Sequence, residues 1–200
     1  MAIAQPLEAE APDQGEETAR ADMYGLLAAL FYAPPAQALL DRIAASGGDD
    51  GSPLGRAWGD LSVACRLVRE EQARDEYEAL FIGVGKPEIM LYGSYYLTGF
   101  LMEKPLAALR ADLAHLGLER AQAVTESEDH VAALCEVMCY LILASVDLAT
   151  QQRFFAAHLQ PWAADLCAAI ASHPDAQLYR AVALLAQAFI EVETRAFDMA

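Results

Sequence analysis

The stretch Val131–Val146, VAALCEVMCYLILASV, decides the fold that we expect for this chain of 200 residues. Its apolar side chains recur every three or four residues, which is the spacing of one face of an α-helix. The stripe consists of Val131, Leu134, Cys135, Met138, Leu141, Ile142 and Val146. Thr125 and Glu128 upstream have the spacing of a capping box, so we predict a helix over about Ser127–Thr150. The stretch is too short to span a bilayer and contains Glu136, which indicates a core helix.

Helical spacing continues on both sides of this stretch, and the composition agrees with it. Apolar residues make up 56% of the chain, Ala and Leu dominate, and strand-forming residues are scarce. We therefore predict an all-α fold, a single multi-helix bundle. The further helices that we expect are about Ala19–Tyr32, Ala36–Ala45, one after Pro53, one ending near Phe81, Tyr95–Met102, Lys104–Leu116, Pro161–Ser172 and Pro174–Phe197.

Two segments break the helical pattern. Gly83–Ser94 (GVGKPEIMLYGS) holds three glycines and one proline, so we predict a long irregular loop near residues 83–94. The N-terminal residues are mostly Ala, Pro, Glu and Gln, which predicts a disordered acidic tail over residues 1–18. They lack the basic start and apolar core of a signal peptide. Residues 19–200 are expected to form one all-helical domain.

The charge of the chain restricts its partners. It carries 13 basic and 29 acidic residues, a net charge of -16. Such a surface repels nucleic acid and anionic membranes and attracts basic partners. We therefore expect no nucleic-acid partner, no stable membrane insertion and a cytoplasmic location.

The cysteines do not predict a metal site. Cys65, Cys135, Cys139 and Cys167 form no Cys-x-x-Cys pair. Cys135 and Cys139 would share a helix face, but no matching pair of ligands follows them. Free thiols buried as small hydrophobic groups are the expected state, with no metal and no cofactor.

No motif in the sequence points to catalysis. Gly83–Lys86 is too short for a phosphate-binding loop and follows a helix rather than a strand. Asp129 and His130 could serve as an acid–base pair in a small hydrolase or nucleotide-binding protein. However, consecutive residues on a helix point about 100° apart and do not face each other. The sequence therefore predicts a binding protein and not an enzyme.

An acidic cluster stands where the central helix is expected to begin. Glu126–His130 (ESEDH) places three acids and a histidine together. Acids at a helix start bind free backbone N–H groups and suit the helix dipole, which accounts for one or two of them. Carboxylates also bind guanidinium groups through paired hydrogen bonds, so a basic peptide is an equally good explanation.

A second cluster is aromatic and lies before the irregular segment. Tyr77, Leu80 and Phe81 are spaced as neighbours on one helix face, and Tyr92 and Tyr95 stand at the end of that segment. Core packing explains most such stripes. Tyrosines beside an irregular loop are also typical of an adaptable binding surface. Both interpretations are open at this point.

In this order, the two clusters resemble the TorD/DmsD/NarJ family of redox-enzyme maturation chaperones. Tyr77–Gly83 (YEALFIG) is similar to its aromatic-x-x-Leu-Phe-x-Gly motif, and Tyr92–Leu97 (YGSYYL) to the aromatic-x-Ser segment that follows. Glu126–His130 resembles the Glu-Pro-x-Asp-His motif, with Ser127 in place of proline. His158–Trp162 (HLQPW) resembles a downstream His-Leu-x-Pro-Trp segment.

The resemblance implies an all-helical chaperone that binds the twin-arginine signal peptide of a molybdopterin oxidoreductase and assists its cofactor loading before export. The partners it implies are that signal peptide and the apo-enzyme, and a monomer or a homodimer is expected. The stretch Tyr92–Leu116 is most similar to members associated with formate dehydrogenases. The implied peptide contacts are Tyr77, Leu80, Phe81, Tyr92, Ser94, Tyr95, Glu126, Asp129 and His130. A helical assembly subunit without a peptide groove is the alternative.

Overall fold

A computed structural model describes residues 14–48, 50–83, 85–121 and 125–199. Within these ranges the chain is predominantly helical and contains no strand, so the predicted all-α bundle is confirmed. The expected tail over residues 1–18 falls outside the described residues up to position 13, and the first helix already begins at Gln14. Among the described residues, no helix is both long and apolar enough to cross a membrane.

The helices follow one another through short connections, apart from two longer irregular segments near the site. Their bounds are α1 Gln14–Tyr32, α2 Gln37–Ala45, α3 Pro53–Leu67, α4 Glu70–Tyr77, α5 Gly93–Thr98, α6 Lys104–His115, α7 Val131–Leu143, α8 Leu148–His158, α9 Gln160–Ser172 and α10 Leu178–Met199. Helix α4 continues into a π-helical turn, Glu78–Ile82. The predicted irregular segment follows this turn and ends where α5 begins.

The long helix predicted over Ser127–Thr150 is wrong in its extent. Helix α7 ends at Leu143, and Ser145 adopts a left-handed backbone with φ of 52°. Asp147 then caps α8, because its carboxylate accepts a hydrogen bond from the Thr150 N–H at 2.9 Å. Apolar periodicity alone does not reveal this break, because Val146 still packs against the core from the connection.

The predicted capping box of Thr125 and Glu128 is also wrong. The residue that caps α7 is His130, whose Nδ1 accepts a hydrogen bond from the Ala132 N–H at 3.1 Å. The Glu128 carboxylate binds arginine side chains instead. The first turn of α7 itself contains no acid.

Two other sequence predictions concern short features. The helix expected over Tyr95–Met102 is α5, which starts two residues earlier and ends at Thr98, before Gly99, whose φ is 83°. Burial of the thiols is confirmed for Cys65, Cys135 and Cys167, whereas Cys139 is half-buried. Burial raises the pKa of Cys65 to about 11, so this thiol is protonated at neutral pH.

The core lies between α7, α1 and the C-terminal helices. Helix α7 packs along α1, and α10 packs against α9 and α3. Trp162 on α9 and Tyr179 on α10 are among its largest fully buried side chains. Because α7 is enclosed on one face by α1, its start at His130 is held in place relative to the whole bundle.

Candidate functional site

The acidic segment Glu126–His130 is fastened to the residues that precede α5. The Gly93 N–H donates to the Asp129 carbonyl oxygen at 2.9 Å, and the Val131 N–H donates to the Leu91 carbonyl oxygen at 2.8 Å. These bonds form an isolated antiparallel bridge between Tyr92 and His130. The structure therefore brings together two motifs that lie about 35 residues apart in the sequence.

The Asp129 side chain joins the acidic segment to α5. Its side chain is only 4% exposed, and Oδ2 accepts hydrogen bonds from both the Ser94 backbone N–H, at 2.9 Å, and the Ser94 hydroxyl. Two donors from the first turn of α5 therefore hold a carboxylate that lies just before α7. Asp129 and Ser94, both predicted site residues, join two helix starts.

His130 is equally enclosed, with 4% of its surface exposed. One ring nitrogen caps α7, and the ring lies edge-on to Tyr92 with centroids 5.1 Å apart. Burial lowers the pKa of His130 below 6.5, although the nearby charges of Glu126 and Asp129 oppose that shift. The imidazole is therefore neutral at pH 7, as its acceptor role requires.

Glu126 and Tyr92 form the accessible edge of the same junction. Both side chains are half-buried, and the Tyr92 hydroxyl donates a hydrogen bond to Glu126 Oε2. Burial, followed by this hydrogen bond to the carboxylate, raises the pKa of the Tyr92 phenol. Glu126 is therefore bound to a tyrosine rather than to free N–H groups of a helix.

The apolar cluster Tyr77, Leu80 and Phe81 is part of the core. Their exposed fractions are 6%, 0% and 6%, respectively. The Tyr77 hydroxyl donates to the carbonyl oxygens of Phe31 and Tyr32 at the end of α1, at 3.1 and 2.9 Å. The chain's own residues cover these side chains, so a peptide could contact them only after a rearrangement.

Tyr77 of the apolar cluster nevertheless lies close enough to Glu126 for the carboxylate charge to act on its phenol. The pKa of Tyr77 rises to about 12, mainly through burial and next through the negative charge of Glu126.

Tyr95, which is also a predicted peptide contact, lies one residue after Ser94 on α5. It is half-buried, and its ring stands edge-on to Tyr96, which in turn stacks on Trp162.

An open groove of about 320 Å³ runs beside the acidic segment. Its apolar wall is formed by Leu113, Leu118, Ala121, Ala133, Val137 and Tyr140. The charged residues along it are Glu119, Arg120, Glu126, Glu128 and Glu136. Four carboxylates and one guanidinium group thus border the apolar wall of the groove.

The groove contains residues that the sequence interpretation missed. Ala133, Val137 and Tyr140 follow one another at the i, i+4, i+7 spacing of a second face of α7. This face is less apolar than the core stripe, because it contains an alanine and adjoins Glu136. The tyrosine is half exposed, at 50%, which is unusual for a large side chain on a core helix.

Glu128, which lines this groove, forms ion pairs with two arginines. Arg110 Nη2 of α6 lies 2.9 Å from Glu128 Oε2, and Arg120 Nε lies 3.6 Å from Oε1. Burial opposes ionisation, but the hydrogen bond from Arg110 and the positive charges hold the pKa of Glu128 below its usual value. The carboxylate is therefore ionised at neutral pH.

A smaller cavity of about 160 Å³ is lined by Asp129 of the acidic segment and by Ser94. His158 Nε2 lies 2.8 Å from an oxygen of Asp112 in its wall. Trp162 donates from Nε1 to the His158 carbonyl oxygen at 2.6 Å. The motif His158–Trp162 therefore also lies beside the contact between the acidic segment and α5.

Comparison with known proteins agrees with this arrangement of motifs. The family model described as nitrate reductase delta subunit matches residues 48–168, which contain all four motifs. The chaperone protein TorD of Vibrio cholerae serotype O1 is 27% identical over 202 aligned residues, covering 90% of this chain and 92% of that protein. Sequences from three strains of that organism match in this way.

The fold also has a counterpart among solved structures. A crystal structure described as that of a redox enzyme maturation protein from Archaeoglobus fulgidus superposes with a TM-score of 0.54 at 17% sequence identity. The match covers 94% of this chain and 98% of the other. At this identity, the likeness concerns the fold.

Proposed function

The chain belongs to the nitrate reductase delta subunit family, that of the TorD/NarJ redox-enzyme maturation chaperones, and we propose that it binds a twin-arginine signal peptide. The peptide would belong to a molybdopterin oxidoreductase that the chaperone holds in the cytoplasm during cofactor loading and folding, before export. The resemblance around Tyr92–Leu116 makes a formate dehydrogenase our preferred client.

One observation carries this proposal: an apolar groove is bordered by acids. A twin-arginine signal peptide combines a basic start with an apolar stretch. Ala133, Val137 and Tyr140 offer apolar surface to the stretch, and the carboxylates of Glu126 and Glu128 stand beside them for the arginines. The net charge of -16 adds long-range attraction for a basic peptide.

The predicted contacts divide into two roles under this proposal. Tyr92 and Glu126 contact the peptide, because Glu126 lines the groove and the half-buried Tyr92 is hydrogen-bonded to it. Asp129, Ser94 and His130 act mainly by fixing the segment that carries the groove's acids. Tyr77, Leu80 and Phe81 belong to the core, and Tyr95 lies on α5 against Tyr96, so none of the four is assigned a direct peptide contact.

Two observations weigh against the alternatives. A helical assembly subunit without a peptide site has no need of an open groove that joins apolar surface to four carboxylates. A hydrolase that uses Asp129 and His130 would need both groups available to a substrate. Asp129 accepts two hydrogen bonds from Ser94, and His130 caps α7.

Calorimetric titration with a synthetic twin-arginine peptide tests the function and the site together. Ala133→Leu places a larger side chain in the groove, so we expect about ten-fold weaker binding, a loss of about 1.4 kcal/mol. Ala168→Leu on the exposed side of α9 is the matched control and should bind like the original chain. Absence of binding to any such peptide would refute the function. Equal affinities for the two variants would refute the groove as its site.

A further inference from the structure

We propose that Glu128 is the residue that receives a client arginine, and that Arg110 and Arg120 of the chain itself hold that position until the client binds. The inference rests on the proposed function, since it names a contact and a competitor within the same groove. Glu128 stands at the variable position of the motif Glu126–His130, so the motif alone does not single it out.

The geometry shows that Glu128 accepts guanidinium groups. Arg110 approaches Oε2 at 2.9 Å, and Arg120 approaches Oε1 at 3.6 Å, so each oxygen has its own arginine. Arg120 also donates from Nη1 to the Glu126 carbonyl oxygen at 3.3 Å. The acidic segment thus binds two guanidinium groups side by side, the number that a twin-arginine sequence supplies.

The acid is largely buried, whereas the two bases are about half exposed. The Glu128 side chain is only 14% exposed, and its backbone belongs to the segment fastened to α5. The side chains of Arg110 and Arg120 are 55% and 40% exposed, respectively. Ion pairs of such exposed arginines contribute little and exchange readily with a competitor. A peptide guanidinium can therefore replace them without unfolding the site.

The same wall has unused hydrogen-bonding capacity. Among the described residues Ser127 Oγ has no hydrogen-bond partner, and it is buried at the border of the groove. Its hydroxyl can therefore bind a polar group of a ligand. Glu119 and Glu136 also line the groove, where Arg120 is the single basic residue among the described ones.

If the inference is right, substituting the arginines and substituting Glu128 change the affinity for the peptide in opposite directions. Arg110→Gln with Arg120→Gln removes the internal competitors, so we expect a twin-arginine peptide to bind about three- to ten-fold more tightly. Glu128→Gln removes the receiving carboxylate, so we expect about ten-fold weaker binding and a reduced preference for the peptide over its twin-lysine counterpart.

The control for charge is Arg74→Gln with Arg195→Gln. These arginines also form exposed ion pairs, with Glu70 and Glu191, and the net charge changes by the same amount. Their loss should leave the peptide affinity within about two-fold of the original. Calorimetry at one fixed salt concentration measures all four proteins, and a thermal melt of each verifies that it is folded.

The outcomes separate this inference from the proposed function. If Arg110 and Arg120 merely brace Glu128, all groove variants bind more weakly than the original chain, and the inference is overturned. The same holds if the control pair tightens binding as much as the groove pair. If neither the original chain nor any variant binds a twin-arginine peptide, the proposed function itself has failed.

Discussion

At the scale of single residues, His130 gives the site a dependence on pH. Burial lowers its pKa below 6.5, so the folded protein binds this proton less readily than the unfolded chain does. The contribution of the neutral imidazole to stability is complete above pH 6.5 and is lost as the pH falls through the lowered pKa. Protonation also removes the Nδ1 acceptor that caps α7.

We therefore expect the free energy of unfolding to decrease as the pH is lowered from above 6.5 towards about 5, before most carboxylates titrate. His130→Asn keeps a side-chain acceptor for the Ala132 N–H but does not titrate, so its stability should be nearly constant over this range. Urea unfolding at a series of pH values measures both. An equally steep pH dependence in the variant would show that another group is responsible.

The sequence identified the acidic segment Glu126–His130 as a candidate site, but it did not predict the contacts that these residues make. The polarity of Glu126–His130 identified the segment, and its acids suggested capping. Yet a cap is chosen by where the chain turns into helix, and that point is fixed by the bridge between Tyr92 and His130. This contact joins residues distant in the sequence. Hence only the structure shows that His130 caps α7 and that Glu128 binds arginine side chains instead.

At the scale of helices, Gly93 controls how closely α5 approaches α9. A Cβ atom built on Gly93 would lie 2.9 Å from Trp162 Nε1 and 3.0 Å from Cε2. The indole is fully buried and hydrogen-bonded to the His158 carbonyl oxygen, so it has little room to move. We expect Gly93→Ala to lower the free energy of unfolding by about 1–3 kcal/mol.

Gly25→Ala on α1 is the matched control for this substitution. Its Cβ would meet Cys139 Sγ at 3.8 Å, an ordinary contact, and alanine is the better helix former by about 0.5–1 kcal/mol. Urea denaturation of both variants should thus give changes of opposite sign. Because α5 carries Ser94, Gly93→Ala should also weaken peptide binding. A stable Gly93→Ala protein would mean that α9 can yield at this point.

The order of the helices was largely predictable, and the main failure lies between α7 and α8. Strong apolar periodicity located α1, α6 and α10 to within a few residues. The break between α7 and α8 was missed because Val146 continues the apolar stripe through a connection that is not helical. There the left-handed Ser145 and the cap at Asp147 decide the path, and a polar Ser-x-Asp sequence is too common to be read as a stop.

At the scale of the whole molecule, a buried ion pair ties the first helix to the last. Glu193 on α10 is 1% exposed, and its two oxygens accept hydrogen bonds from Nε and Nη2 of Arg20 on α1, each at 2.8 Å. Tyr24 donates to the same carboxylate at 3.0 Å, and Arg20 reaches Gln151 on α8 at 3.3 Å. Arg20 and Glu193 together therefore link three helices, α1, α8 and α10.

Removing Glu193 leaves the largely buried Arg20 with Glu17, at 2.7 Å, as its remaining counter-charge. We expect Glu193→Gln to lower the free energy of unfolding by about 1–3 kcal/mol, because Arg20 loses two charge-assisted hydrogen bonds. Replacing both residues with apolar side chains, Arg20→Met with Glu193→Leu, should cost less, since the carboxylate then left without its arginine, Glu17, is 26% exposed and can be hydrated. Urea denaturation of the two proteins measures the difference.

If the double variant is as unstable as Glu193→Gln, the pair matters for packing rather than for charge. If both variants match the original chain, the network does not hold the two ends of the bundle together. Since α7, which carries the site, packs along α1, the prediction extends to binding: Glu193→Gln should lose peptide affinity only near its own unfolding transition.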